Sequence, residues 1–140
     1  MRIQHIRQIA LACALAGFAL IANAQDHAPP EVQEFLVASS AADFAAHPQT
    51  RPGKVRNVHL RFTQGNDGKR MYLLCGQFQP ASATDETVWD DFATIQTEGY
   101  EQWLGAQASG LCNESSALSQ NGEDLSAVLQ ARLENAPIAN

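Results

Sequence analysis

The chain has 140 residues, 45% of them hydrophobic, and nine Lys and Arg against fifteen Asp and Glu give it a net charge of −6. That length holds one domain with a core of its own and needs no metal to complete it. The acidic balance argues against nucleic acid or an anionic membrane surface as the partner.

Residues 1–24 read as a secretory leader and not as part of the fold. Arg2 and Arg7 open the chain without an acid, the apolar run IALACALAGFALIA follows, and A-N-A precedes Gln25. A charged start, a short apolar centre and small residues at the end mark a signal peptide cleaved after Ala24. The run falls short of the roughly 20 residues that a membrane-spanning helix requires. ALAC at Cys13 loosely matches a lipoprotein processing site, but Ala10 stands where a larger aliphatic residue is expected. Removing the leader takes away two basic residues and no acid, so the net charge of the remainder becomes −8. No later stretch is apolar enough to span a bilayer.

Residues 25–30, QDHAPP, form an arm without periodicity, and a single domain is expected over residues 31–136. Helix is favoured from Glu31 to His47, where Val32, Phe35 and Leu36 fall at helical spacing. Ser40 precedes Asp43 by three, the spacing of a capping box, so a first helix to about Ser39 and a short turn over 41–46 are expected. Pro48 and Pro52 then impose a loop. VRNVHLRFT, residues 55–63, alternates: Val58, Leu60 and Phe62 point one way, and Asn57, His59, Arg61 and Thr63 the other. This is a half-buried antiparallel strand. QGNDGKR supplies the residues of a hairpin turn. MYLLCGQF is apolar on both sides, as a strand covered on both faces must be. A third strand fits residues 87–97.

Tyr100, Trp103, Leu104, Ala108 and Leu111 then share one helical face, with Thr97 placed to cap its start and Gly110 to end it. A last helix is expected from about Glu123 to Glu134, with Leu125, Val128, Leu129 and Leu133 on one stripe. The fold class is α+β: a small antiparallel sheet of three or four strands, with helices packed on one side.

Once the leader and Cys13 are gone, two cysteines are left, Cys75 and Cys112. An even count in an oxidising compartment reads as a disulfide, closing a loop of 37 residues. A buried free thiol is the next reading, and a nucleophile the last, because Cys75 lies in an apolar strand.

No catalytic motif assembles. QASGLC lacks the context of a nucleophile elbow, and the spacings of His27, His47 and His59 match no metal site. No cofactor is expected. Asp85, Glu86, Asp90 and Asp91 cluster in DETVWDD, where a pair could act as acid and base or several could hold calcium; a solvated loop is the simpler reading. Asn113-Glu114-Ser115 is a glycosylation sequon with meaning only in a eukaryotic secretory route.

Charge, in contrast, is unevenly spread. From Arg51 to Arg70 there are six basic residues and one acid, Asp67; from Asp85 to Glu134 there are ten acids and one base, Arg132. Either the two stretches pair with each other as ordinary surface salt bridges, or they make a field that steers a protein partner. Asn57, His59 and Arg61 on the strand, with Lys69 and Arg70 beside the turn, are the candidate contact residues.

The string VRNVHLRF…GKRMYLLCGQFQP…W…FATIQTEGYEQWLGAQASGLC, spanning roughly residues 55–113, resembles a group of small exported bacterial proteins. They share a YLLCG strand, an FATI-T-GYE-W segment and a second Cys. The resemblance carries no catalytic residues with it and implies a periplasmic setting. Small cystine-bearing periplasmic proteins include immunity proteins against the secreted effectors of rival bacteria and inhibitors of lysozyme; ASGLC lacks the following aromatic residue of the lysozyme-inhibitor pattern. The expected function is therefore a non-enzymatic periplasmic protein that binds and neutralises a secreted effector. The alternatives are a small carboxylate-based hydrolase and an accessory subunit of an envelope machine.

Overall fold

A computed structural model describes residues 27–118 and 122–137; the expected leader, with Cys13, lies outside them. Helix α1 (Pro30–Ala46) is followed by a short 3-10 turn (Pro48–Thr50) and by strands β1 (Pro52–Gln64), β2 (Arg70–Pro80), β3 (Asp90–Gln96) and β4 (Tyr100–Leu104). Helix α2 (Gly105–Glu114), the two-residue strand β5 (Ser116–Ala117) and helix α3 (Ser126–Asn135) complete the chain. The five strands form one antiparallel sheet in the order β4-β3-β2-β1-β5. The fold is α+β, with a Cys75–Cys112 disulfide.

Alternation along β2 sorts the core into two layers. Leu74 and Phe78 face α1 and α3, where they join Leu36, Val37, Phe44, Val58 and Phe92. Phe44 lies 5.1 Å from Phe78 and 5.4 Å from Phe92 between ring centroids, in tilted and edge-on contacts of the kind aromatic quadrupoles favour. Leu73 and Cys75 face the opposite way and pack with Ala93, Ile95 and Ala108 of α2. The helices therefore cover both faces of the sheet, α1 and α3 on one and α2 on the other, which corrects the expectation of helices on one side. β2 is buried on both faces, as its apolar run requires.

Gly76 sits where these layers are tightest. A Cβ there would lie 2.7 Å from the Phe92 ring and 2.9 Å from a Val58 methyl, so the position takes no side chain without displacing two fully buried neighbours.

Three further expectations are corrected. α1 is one continuous helix, not a helix and a turn. Ser40, expected to cap a second turn, is fully buried within it, and its hydroxyl has no hydrogen-bond partner among the described residues. The helix expected from Tyr100 to Leu111 begins as strand β4, which pairs Tyr100–Leu104 with Gln96–Phe92. The i, i+3, i+4 spacing of Tyr100, Trp103 and Leu104 is misleading here, because the working period is two: Gln102 accepts a 2.9 Å hydrogen bond from buried Thr94, while Trp103 packs on the α2 side. Gly105, at φ +65, turns the chain from strand to helix, and Gly110 lies inside α2, not at its end. Finally, α3 starts at Ser126, since Asp124 accepts hydrogen bonds from the Ser126 backbone N–H and hydroxyl. Its buried stripe is Leu125, Leu129 and Leu133; Val128 is exposed.

The two edges of the sheet are treated differently. Along β1, the Val55 N–H donates to Gln130 Oε1, whose amide nitrogen donates to the Gly53 carbonyl. The Val58 N–H donates to Ser126 Oγ, and its carbonyl accepts from the Leu125 N–H. β5 then covers Arg61 and Phe62. Among the described residues β4 has no strand neighbour on its outer side.

Candidate functional site

The outward face of β1 carries a break in register. Arg56 pairs with Gln77 and His59 with Cys75, so Asn57 and Val58 oppose Gly76 alone. This two-against-one arrangement is a β-bulge, and Asn57 adopts φ +52 to make it. Asn is one of the few residues with a side chain that tolerates this region. The bulge sends Arg56 outward, where strict alternation from Val58 would have aimed it at the core.

Beside the bulge lies a hollow of about 260 Å³, floored by Gly76 and the Cys75–Cys112 disulfide. Asn57, His59 and Arg61 line one wall, Gln77 and Asp91 another, and Ser109 and Asn113 of α2 close it. Asn57, His59, Arg61, Gln77 and Asp91 are held by hydrogen bonds within the protein. Arg61 donates from Nε to Ser115 Oγ and from a terminal nitrogen to the Ser115 carbonyl, both at 2.6 Å. Ser115 Oγ in turn donates to the Cys112 carbonyl at 2.7 Å, so the arginine is clamped to the disulfide-bearing helix. Gln77 Oε1 accepts from Arg56 Nε at 2.9 Å and from Asn57 Nδ2 at 3.4 Å, and Gln77 Nε2 donates to Asp91 at 3.0 Å. The Arg56 guanidinium also stacks on Trp89, 4.1 Å from the ring centre. His59 Nδ1 donates to the Glu123 carbonyl at 3.2 Å, which leaves Nε2 for another partner.

Such a hollow is lined by one guanidinium, three side-chain amides and an imidazole, with the Arg56 guanidinium beside it on Gln77. It suits an acceptor-rich group, a carboxylate above all, since arginine meets carboxylate with geometric fit. It is less suited to chemistry. His59 and Ser109 share the lining without a hydrogen bond between them, and Asp91 is the one carboxylate among its lining residues. Neither a nucleophile-base pair nor a pair of carboxylates is assembled. Among the described residues no group of three or more His, Cys, Asp and Glu could hold a metal ion. No helix among them is long and apolar enough to cross a membrane.

Of the five candidate contact residues, Asn57, His59 and Arg61 come together at this hollow. Lys69 stays at the hairpin turn, 4.0 Å from Asp67. Arg70 stacks over Phe62 at 4.1 Å, toward the opposite face of the sheet. None of the ion pairs among the described residues joins the basic stretch to the acidic one. Arg51, Arg56 and Arg61 are each held by neutral groups: Arg51, for instance, donates to the Leu133 carbonyl near the end of α3. Alternation alone missed Arg56 and Gln77. The signal was present in Arg56-Asn57, a charge at an inward position followed by a residue that tolerates positive φ.

Comparison with protein-family models, with curated proteins and with solved structures returns no significant match.

Proposed function

We propose that this chain is an exported, periplasmic binding protein that neutralises an enzyme by occluding it, as an immunity protein or inhibitor does against a secreted antibacterial effector. The observation that carries the reading is the fixed state of the hollow. Arg61 in its lining and Arg56 beside it are each held by two contacts inside the protein, so little side-chain entropy remains to be lost when a partner docks. Arginine anchors of this kind concentrate binding energy at protein interfaces. The cystine ties the floor of the hollow to α2, and the leader-like first 24 residues support the compartment in which that bond forms. Among the described residues neither Arg56 nor Arg61 is in an ion pair, so both charges favour a partner with acidic groups at its mouth.

Capture from envelope extract tests this. The oxidised chain should retain a protein in one-to-one ratio, and Arg56→Glu with Arg61→Glu should abolish retention while leaving the circular dichroism spectrum unchanged. Turnover of peptidoglycan or an ester substrate by the purified chain, with no protein retained, would replace this reading with the hydrolase.

A further inference from the structure

On the other side of α2 from the hollow, a groove of about 440 Å³ runs between the helix and strands β2 to β4. Met71, Ile95, Trp103 and Leu111 make its floor, and Glu101 and Glu114 stand among its lining residues. Met71, the second residue of β2, is 43% exposed. The lining includes no cation, and among the described residues neither glutamate is in an ion pair. Glu101 accepts a 3.3 Å hydrogen bond from the Trp103 indole, which fixes that carboxylate beside the ring. Glu101 and Trp103 belong to β4, the strand whose outer edge has no strand neighbour among the described residues. The opposite edge of the sheet is closed by Gln130, Ser126 and β5.

We infer that this groove and the β4 edge together receive an extended segment of a protein partner that carries a lysine or arginine. An added strand would meet the main-chain donors and acceptors of Tyr100–Leu104 that point away from β3, the arrangement used in recognition by strand addition. Every second side chain of that strand would stand next to Glu101 and Trp103 on the α2 side. A cationic side chain matches both parts of the groove: its methylene stem lies on Trp103, Met71 and Leu111, and its charge sits between the two carboxylates. The inference goes beyond the function proposed above and is independent of it, since the hollow selects acceptors and the groove selects a cation.

The test uses two blocked pentapeptides, Ac-Thr-Val-Lys-Val-Thr-NH2 and its counterpart with glutamate at the centre, titrated into the isotopically labelled oxidised chain at low salt. The lysine peptide should shift the amide signals of residues 100–104 and the Trp103 indole N–H. The glutamate peptide should bind at least about fivefold more weakly. Glu101→Gln with Glu114→Gln should weaken the lysine peptide by a similar factor, because glutamine keeps the indole acceptor and removes only the charge. Arg56→Glu with Arg61→Glu should leave peptide binding unchanged, which separates this site from the hollow. Shifts lying elsewhere, equal binding of the two peptides, or an unaltered affinity in the glutamine variant would each overturn the proposal.

Discussion

At the scale of single residues, Gly76 and Asp124 show how local chemistry fixes the frame around the hollow. Gly76 lies under Phe92 and Val58 with no room for a methyl group. Gly76→Ala should therefore destabilise the chain by about 1–3 kcal/mol, as overpacking in a well-filled core does, seen as a lower denaturant midpoint with an unchanged slope. Asp124 is held below the ordinary aspartate pKa by the Ser126 hydroxyl and then by the Ser126 backbone N–H. Its folded pKa is depressed, so the stability it lends is present above the unfolded value of the group and is lost as pH falls through the folded one. The stability difference between the wild type and Asp124→Ala should hold from neutral pH into the ordinary aspartate range and shrink below it. A difference that persisted undiminished in acid would show that the carboxylate charge is not what holds Ser126 at the start of α3.

At the scale of elements, the bulge in β1 organises the site. Asn57 at φ +52 makes two residues oppose Gly76, which sets Arg56, His59 and Arg61 on one face. Asn57→Gly should keep the bulge and nearly the full stability, because glycine adopts this conformation without cost. Asn57→Val should lose about 1–2 kcal/mol, the penalty of a branched side chain in the left-handed region, and weaken partner binding as Arg56 loses its alignment with Gln77. Much of this was legible in the sequence. The alternation Val58, Leu60, Phe62 set the face of β1, and the doubly apolar MYLLCGQF announced a central strand. What stayed hidden was decided by tertiary pairing. Tyr100–Leu104 satisfies a helical spacing and a strand spacing at once, and it becomes strand because β3 offers it a ladder. Ser40 mimics a capping box but is swept into the buried face of a continuous α1. Arg56 was missed because a bulge changes the parity that alternation assumes.

At the scale of the whole molecule, one covalent bond and one uneven charge distribution define the account. The Cys75–Cys112 bond joins the centre of the sheet to α2 across 37 residues of chain. It was expected from cysteine count and compartment before any geometry was known. Chain-entropy reasoning assigns such a loop about 4 kcal/mol. Cys75→Ala with Cys112→Ala should lower the melting temperature by more than about 10 °C and loosen α2, and with it both the hollow and the Glu101–Trp103 groove. If the double variant melted like the wild type, the bond would not be what fixes α2. The separation of charge was also plain in the sequence, but its outcome was not. Among the described residues no ion pair joins the basic stretch to the acidic one, and three of the five expected contact residues gather beside the disulfide while Lys69 and Arg70 lie elsewhere. The measurement that tests the central claim most directly is hydrogen exchange of the oxidised chain, alone and in complex with the protein it retains from envelope extract. The account predicts new protection in residues 55–61 and in α2, around the hollow. Protection confined to α1 and α3, on the opposite face of the sheet, would contradict it.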